Sequence, residues 1–200
     1  MTHPTQKDYA GAKLGMWLFL FTELLLFGGL FILYAVYLNR YPAGFASGGQ
    51  RLDLLFGTIN TVILLTSSLL VAMAVTAIQR DAKRHAVLLL TGTILCAAVF
   101  MVNKYLEWSA KISHGIYPNA PGMDQLMSGE KVFFSLYYLT TGIHGLHVLI
   151  GSALLAWVAR RVHKGAITAE DYVVLENGAL YWHLVDLIWI FIFPLYYLIL

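Results

Sequence analysis

The chain has 200 residues, 59% of them hydrophobic and 12% charged, with a mean hydropathy of +0.70. Soluble domains carry about one quarter charged residues, so this composition predicts an integral membrane protein. A formal charge of +2 with no basic tract argues against a nucleic-acid partner, and the single cysteine, Cys96, excludes disulfides and cysteine-based metal clusters within the chain.

Five apolar runs are long enough to cross a bilayer, which needs about 20 apolar residues. They are Leu14–Leu38, Leu54–Ile78, Ala86–Tyr105, Val132–Ala159 and Gly178–Leu200. The expected fold is therefore all-α: a polytopic membrane protein with one membrane domain over residues 1–200, a bundle of five transmembrane helices. The first run is too long for a signal-peptide core and has no small-residue cleavage pattern behind it, so it is expected to stay in the mature protein. Asn39-Arg40-Tyr41-Pro42 closes that run, and the Gly/Ser-rich stretch Gly44–Gln50 predicts a loop. Arg80–His85 makes a charged turn; Pro118, Pro121 and Gly122 mark the longest loop; Arg160–Glu176 links the last two spans. An odd number of unlike helices without an internal repeat argues against an inverted-repeat transporter.

Orientation follows from the basic residues. Lys7, Lys13, Arg80, Lys83, Arg84, Arg160, Arg161 and Lys164 fall on one side, against Arg40, Arg51, Lys104, Lys111 and Lys131 on the other. The bias places the N-terminus in the cytoplasm and the C-terminus outside. Trp17, Tyr37, Tyr41, Tyr105, Trp108 and Trp157 sit where an interfacial aromatic belt belongs.

The polar residues inside these runs are the candidate functional groups. Glu23 lies near the middle of the first run, where an acidic group costs roughly 2.5 kcal/mol or more and normally has a partner. Counting about 1.5 Å per residue from the nearest charge puts Glu23 and Asp186 about 15 Å deep, His147 about 20 Å and His144 about 24 Å. Depth therefore favours His147 over His144 as the partner of Glu23. Thr140, His144, His147 and Gly151 share one helix face, which reads as a helix–helix contact rather than a haem or metal site, because no other helix offers a second close set of ligands. His183 and Asp186, three residues apart, can pair within the last helix, either as a packing device or as part of a proton relay. Glu107 with Lys104 reads as an interfacial ion pair, and Asn60, Thr61, Thr66, Ser67 and Ser68 as interhelical hydrogen-bonding groups. Arg160 and Arg161 serve either lipid phosphates or simple positive-inside anchoring.

No phosphate loop, nucleophile motif, zinc-spaced cluster or CxxCH occurs, so no catalytic residue and no metal ligand is assigned. The motifs that remain resemble subunit III of haem-copper oxidases of the cytochrome c oxidase type. Gly15-Met16-Trp17-Leu18-Phe19-Leu20-Phe21-Thr22-Glu23 with Phe27 is similar to the family helix bearing a buried glutamate. Asn60-Thr61 and Lys104-Tyr105-Leu106-Glu107-Trp108 also match. The most specific segments are Thr141-Gly142-Ile143-His144-Gly145-Leu146-His147-Val148 with Gly151, and Tyr181-Trp182-His183-Leu184-Val185-Asp186-Leu187-Ile188-Trp189.

The resemblance implies a five-helix form without the two N-terminal helices of the longer family members, whose V-shaped bundle holds phospholipid. It implies an accessory, non-catalytic subunit with no haem or copper of its own, those cofactors residing in partner subunits. The implied partners are oxidase subunit I by direct packing, subunit II and other oxidase subunits, and membrane phospholipid, in a bacterial inner (plasma) membrane. The implied work is to sustain proton uptake and protect the complex during turnover. Residue by residue, Glu23 takes the place of the buried glutamate and His147 that of its proposed partner, with His144, His183 and Asp186 as further buried polar or proton-related groups. Arg161 or the adjacent Arg160, with Trp17, takes the lipid-binding place; Asn60 and Glu107 are structural polar residues. Subunit III of a ubiquinol oxidase and an accessory subunit of a nitric oxide reductase are the neighbouring alternatives. A haem-binding membrane redox protein and a small proton-coupled transporter are more distant ones.

Overall fold

The structure, a computed structural model, describes residues 8–118 and 120–198. Lys7 and Leu200, used in the readings above, lie outside the described residues. Six α-helices account for most of them: α1 Tyr9–Arg40, α2 Pro42–Gln50, α3 Leu54–Gln79, α4 Lys83–Ser113, α5 Ser128–His163 and α6 Val173–Tyr197, with a 3-10 turn at Pro121–Gln125 before α5. All except α2 are long and apolar enough to cross a membrane. All five predicted spans are helices; α1, α4 and α5 run past both ends of their apolar runs into polar and charged residues, while α3 adds only Gln79.

The chain direction alternates, so the beginnings of α1, α4 and α6 lie at the same end as the ends of α3 and α5. That end carries Arg80, Lys83, Arg84, Arg160 and Arg161 and is called the basic end below.

Helix starts are chemically specified. Asp8 accepts from the Gly11 amide at 2.7 Å, and Asp53 accepts from Leu55 at 2.8 Å, each satisfying a first-turn donor. Between α3 and α4 the turn passes through Asp81 at φ 56°, a left-handed conformation that an aspartate tolerates better than most residues.

The buried residues follow one rule on α3, α4 and α6. On α3 they are Gly57, Asn60, Leu64, Ser67, Val71, Ala74 and Ile78; on α4 Ala86, Leu90, Thr93, Ala97, Phe100, Lys104 and Glu107. Steps of three and four alternate, which is the heptad seam of left-handed helix packing. On α6 the same alternation runs through Leu175, Gly178, Trp182, Val185, Trp189, Ile192 and Tyr196. Helix α1 is the exception: only Leu20, Phe27 and Tyr34, one residue in seven, are buried. It lies on α5 and α6 along a narrow seam and leaves the rest of its apolar surface exposed.

The Gly44–Gln50 stretch is a correction. It is not a loop but most of α2, which has Pro42 in its first turn. Phe45 is fully buried and meets Tyr34 and Phe133 edge to face, with ring centroids 5.2 and 5.4 Å apart. The glycines are there for close approach: a Cβ on Gly44 would lie 2.6 Å from Gly129 Cα. Ser47 donates to Glu130 at 2.6 Å, and Arg51 pairs with the same carboxylate at 3.2 Å, fastening α2 to α5.

Candidate functional site

Glu23 projects from α1 toward α5, where His147 Nε2 lies 2.8 Å from its Oε2. The imidazole is aimed by its own helix: Nδ1 sits 2.7 Å from the Ile143 carbonyl, one turn back. A carbonyl only accepts, so Nδ1 carries a hydrogen. One hydrogen therefore lies on the 2.8 Å line between Nε2 and the Glu23 carboxyl group, carried by either the ring or the carboxyl. Phe27, edge-on to the imidazole at 5.3 Å, and Tyr181, at 6.5 Å, flank it, and the Tyr181 hydroxyl donates to the His147 carbonyl at 3.3 Å. The two side chains are nevertheless not sealed off, at 15% and 12% exposed.

The other histidines do not join this pair. His144 is fully buried, its ring 5.6 Å from Phe100 and 5.1 Å from Trp189, and neither nitrogen has a hydrogen-bond partner among the described residues. His147 uses both of its nitrogens, so His144 and His147 do not present the free imidazole pair that a haem iron would take. The expected His183–Asp186 pair is not formed. His183 Nδ1 instead lies 2.7 Å from Ser68 Oγ on α3, while neither Asp186 oxygen has a hydrogen-bond partner among the described residues. The physical reason is direction: with α3 packed beside α6, the Ser68 hydroxyl is in reach across the seam, and it draws the imidazole away from its own helix.

Lys104 and Glu107 do pair, at 3.0 Å, but not at a solvated interface. Both are almost wholly buried at a junction of α4, α5 and α6. Lys104 Nζ donates to the hydroxyls of Tyr137 at 2.9 Å and Tyr197 at 3.0 Å. Those hydroxyls donate in turn to Glu107 Oε1, at 2.7 and 2.8 Å. Lys111 approaches the same oxygen at 3.5 Å. Every strong donor and acceptor is answered, which a buried ion pair requires if it is not to destabilise the fold. Tyr137, Tyr197 and Lys111 were not singled out from sequence. The available signal was Lys111 four residues after Glu107, on the face already holding Lys104.

The remaining polar positions tie helices together. Asn103 donates to Asn60 at 3.0 Å, Trp182 to Ser67 at 3.0 Å and Trp189 to Thr61 at 3.0 Å. Thr140 Oγ1 lies 3.0 Å from the Tyr196 hydroxyl, and Gly151 lets the Trp182 ring approach so closely that a Cβ would lie 2.9 Å from it. At the basic end Arg160 is exposed and Arg161 lies over Trp157 at 5.0 Å. Trp17, 60% exposed, borders an apolar groove between α1 and α6 with Leu20, Phe21, Leu184 and His183. Among the described residues no group of three or more His, Cys, Asp or Glu could hold a metal ion.

Residues 2–199 match the cytochrome c oxidase subunit III family. The chain is 33% identical over 187 residues to cytochrome c oxidase subunit 3 of Thermostichus vulcanus, covering 93% of this chain and 86% of that protein. It is 30% identical over 184 residues to cytochrome bo(3) ubiquinol oxidase subunit 3 of Pseudomonas aeruginosa, covering 92% and 83%. It is also 31% identical over 192 residues to heme-copper oxidase subunit I+III of Aeropyrum pernix, of which it spans 22%.

Proposed function

Because this chain belongs to the cytochrome c oxidase subunit III family, we propose that it is the accessory, non-catalytic third subunit of a terminal haem-copper oxidase of aerobic respiration. The observation that carries the reading is the Glu23–His147 pair, a hydrogen-bonded acid and imidazole that join two spans. The chain forms a single membrane domain in a bacterial inner membrane, its N-terminus cytoplasmic by the basic bias of one end. It packs directly on oxidase subunit I and assembles with subunit II and further oxidase subunits. A relative that carries subunits I and III in one chain supports subunit I as the direct neighbour. Haem and copper reside in the partners, while Arg160, Arg161 and Trp17 face phospholipid. Glu23, His147, His144, His183 and Asp186 serve packing and the supply of protons to the neighbour rather than chemistry in this chain.

A tagged chain should co-purify with a large subunit whose spectrum shows haem and whose metal content includes copper. Recovery as a lone, stable, colourless protein overturns the proposal. Relatives named for cytochrome c and for ubiquinol oxidases both match, so the donor is read by assaying oxygen uptake of that complex with reduced cytochrome c and with quinol. Nitric oxide turnover without oxygen turnover would move the chain to a reductase.

A further inference from the structure

At the basic end, α4 begins beside the end of α5, and the two enclose a cleft of about 450 Å³ lined by Lys83, Arg84, Val87, Leu88, Val162 and His163. Its two ends differ in chemistry. Lys83, Arg84 and His163 occupy the end beyond the hydrocarbon, while Val87 and Leu88 lie one turn further along α4, with Leu88 70% exposed toward the bilayer. The only ion pair these three basic residues make among the described residues is a 3.7 Å contact of Lys83 with the exposed Asp81. Arg84 and His163 make no hydrogen bond or ion pair there. The start of α4 adds to the positive potential: Ala82 offers no side-chain cap, and the first turn holds no acidic residue.

A second cleft at the same end, near Arg161, differs in just this respect. It is about 330 Å³, and Asp8 and Asp171 line it together with Arg161. A phosphate entering that cleft would meet carboxylates, which leaves Arg161 to headgroups at the outer surface of the bundle only. In the α4–α5 cleft no carboxylate lines the walls.

We propose that the cleft between α4 and α5 binds one acidic phospholipid, its phosphate between Lys83, Arg84 and His163 and an acyl chain along Val87 and Leu88. The arrangement of cations above an apolar groove matches a phosphodiester joined to a hydrocarbon tail. A free phosphate would use only the upper half, and a neutral lipid would leave the cations unanswered. Basic residues at a membrane surface each strengthen acidic-lipid binding by a severalfold factor.

The test uses the full chain purified in detergent with the subunits that accompany it, stripped of lipid and titrated with phosphatidylglycerol or phosphatidylcholine. Bound lipid is counted by native mass spectrometry. One phosphatidylglycerol should bind on the order of tenfold more tightly than phosphatidylcholine, and Lys83→Gln/Arg84→Gln should remove that preference. The charge-keeping pair Lys83→Arg/Arg84→Lys should retain it, which separates loss of the site from loss of the fold. Arg80→Gln/Lys164→Gln removes as much charge from the same end outside the cleft and should leave the preference intact. Equal loss in the two Gln pairs would reduce the effect to general surface charge and overturn the proposal. So would full competition by millimolar inorganic phosphate.

Discussion

A buried cation beside a buried anion is stable only while each has the other, and Lys104 with Glu107 is the extreme case in this chain. Removing Glu107 strands Lys104 among aromatic rings at a cost of about 3–5 kcal/mol, whereas removing Lys104 leaves Glu107 with Lys111 at 3.5 Å. Glu107→Gln should therefore lower the melting temperature of the purified protein severely, whereas Lys104→Met/Glu107→Gln should recover much of the loss; a double variant no better than the single would contradict the pairing. Glu23 obeys a milder rule. Gln can still hydrogen-bond His147 Nε2, so Glu23→Gln should cost little stability, while Glu23→Leu leaves that nitrogen unpaired at about 1–3 kcal/mol. Comparing subunit retention and melting temperature of the two variants checks this. Counting residues from the nearest charge was enough to bring Glu23 level with His147, because helical rise is fixed. It could not reveal that Lys104 is buried: the third apolar run ends at Tyr105, but α4 continues to Ser113, and the covering hydroxyls of Tyr137 and Tyr197 come from distant sequence.

At the scale of the element, apolarity announced all five spans but concealed which face of each is inside. A lipid-facing leucine and a core leucine are chemically alike, so hydropathy carries no seam. The seam shows instead in small and polar residues, as Gly57, Asn60, Ser67 and Ala74 on α3 and Ala86, Thr93 and Ala97 on α4. Helix α2 is hidden in the sequence for the opposite reason. Its glycines lower intrinsic helix propensity by about 1 kcal/mol each, yet they are what permits contact with Gly129 and Phe133, and packing outweighs propensity. Gly44→Val should force α2 off α5 and lower stability by about 1–3 kcal/mol, read as an earlier thermal transition, whereas the same change at Gly28, which has open space around it, should be nearly silent.

For the whole molecule, attachment of the first span is uneven along its length. Away from the basic end, α1 runs into α2, and Tyr34 is fully enclosed by Phe45 and Tyr196, its hydroxyl donating to the Leu195 carbonyl near the end of α6. At the basic end, with the Phe19 and Tyr181 rings meeting at 5.9 Å further along, the polar ties among the described residues are a surface contact of Lys13 with Glu176 at 3.0 Å and a hydrogen bond from Asn177 to the Ala12 carbonyl at 3.2 Å. Exposed pairs of this kind contribute about 1 kcal/mol or less. The narrow seam of Leu20, Phe27 and Tyr34 therefore makes α1 a lever: its fulcrum is the α2 corner, its free arm reaches the basic end, and Glu23 with His147 is the catch partway along. Spin labels at Ala10 and Ala169, in a Cys96→Ala background, should show a broader distance distribution once Glu23→Leu releases the catch. Labels at Arg40 and Met127, beside the fulcrum, should not move. Equal broadening at both ends would mean that α1 is held evenly. If the free arm alone moves, one hydrogen bond at membrane depth governs how wide the groove between α1 and α6 stands to whatever neighbours it in the membrane.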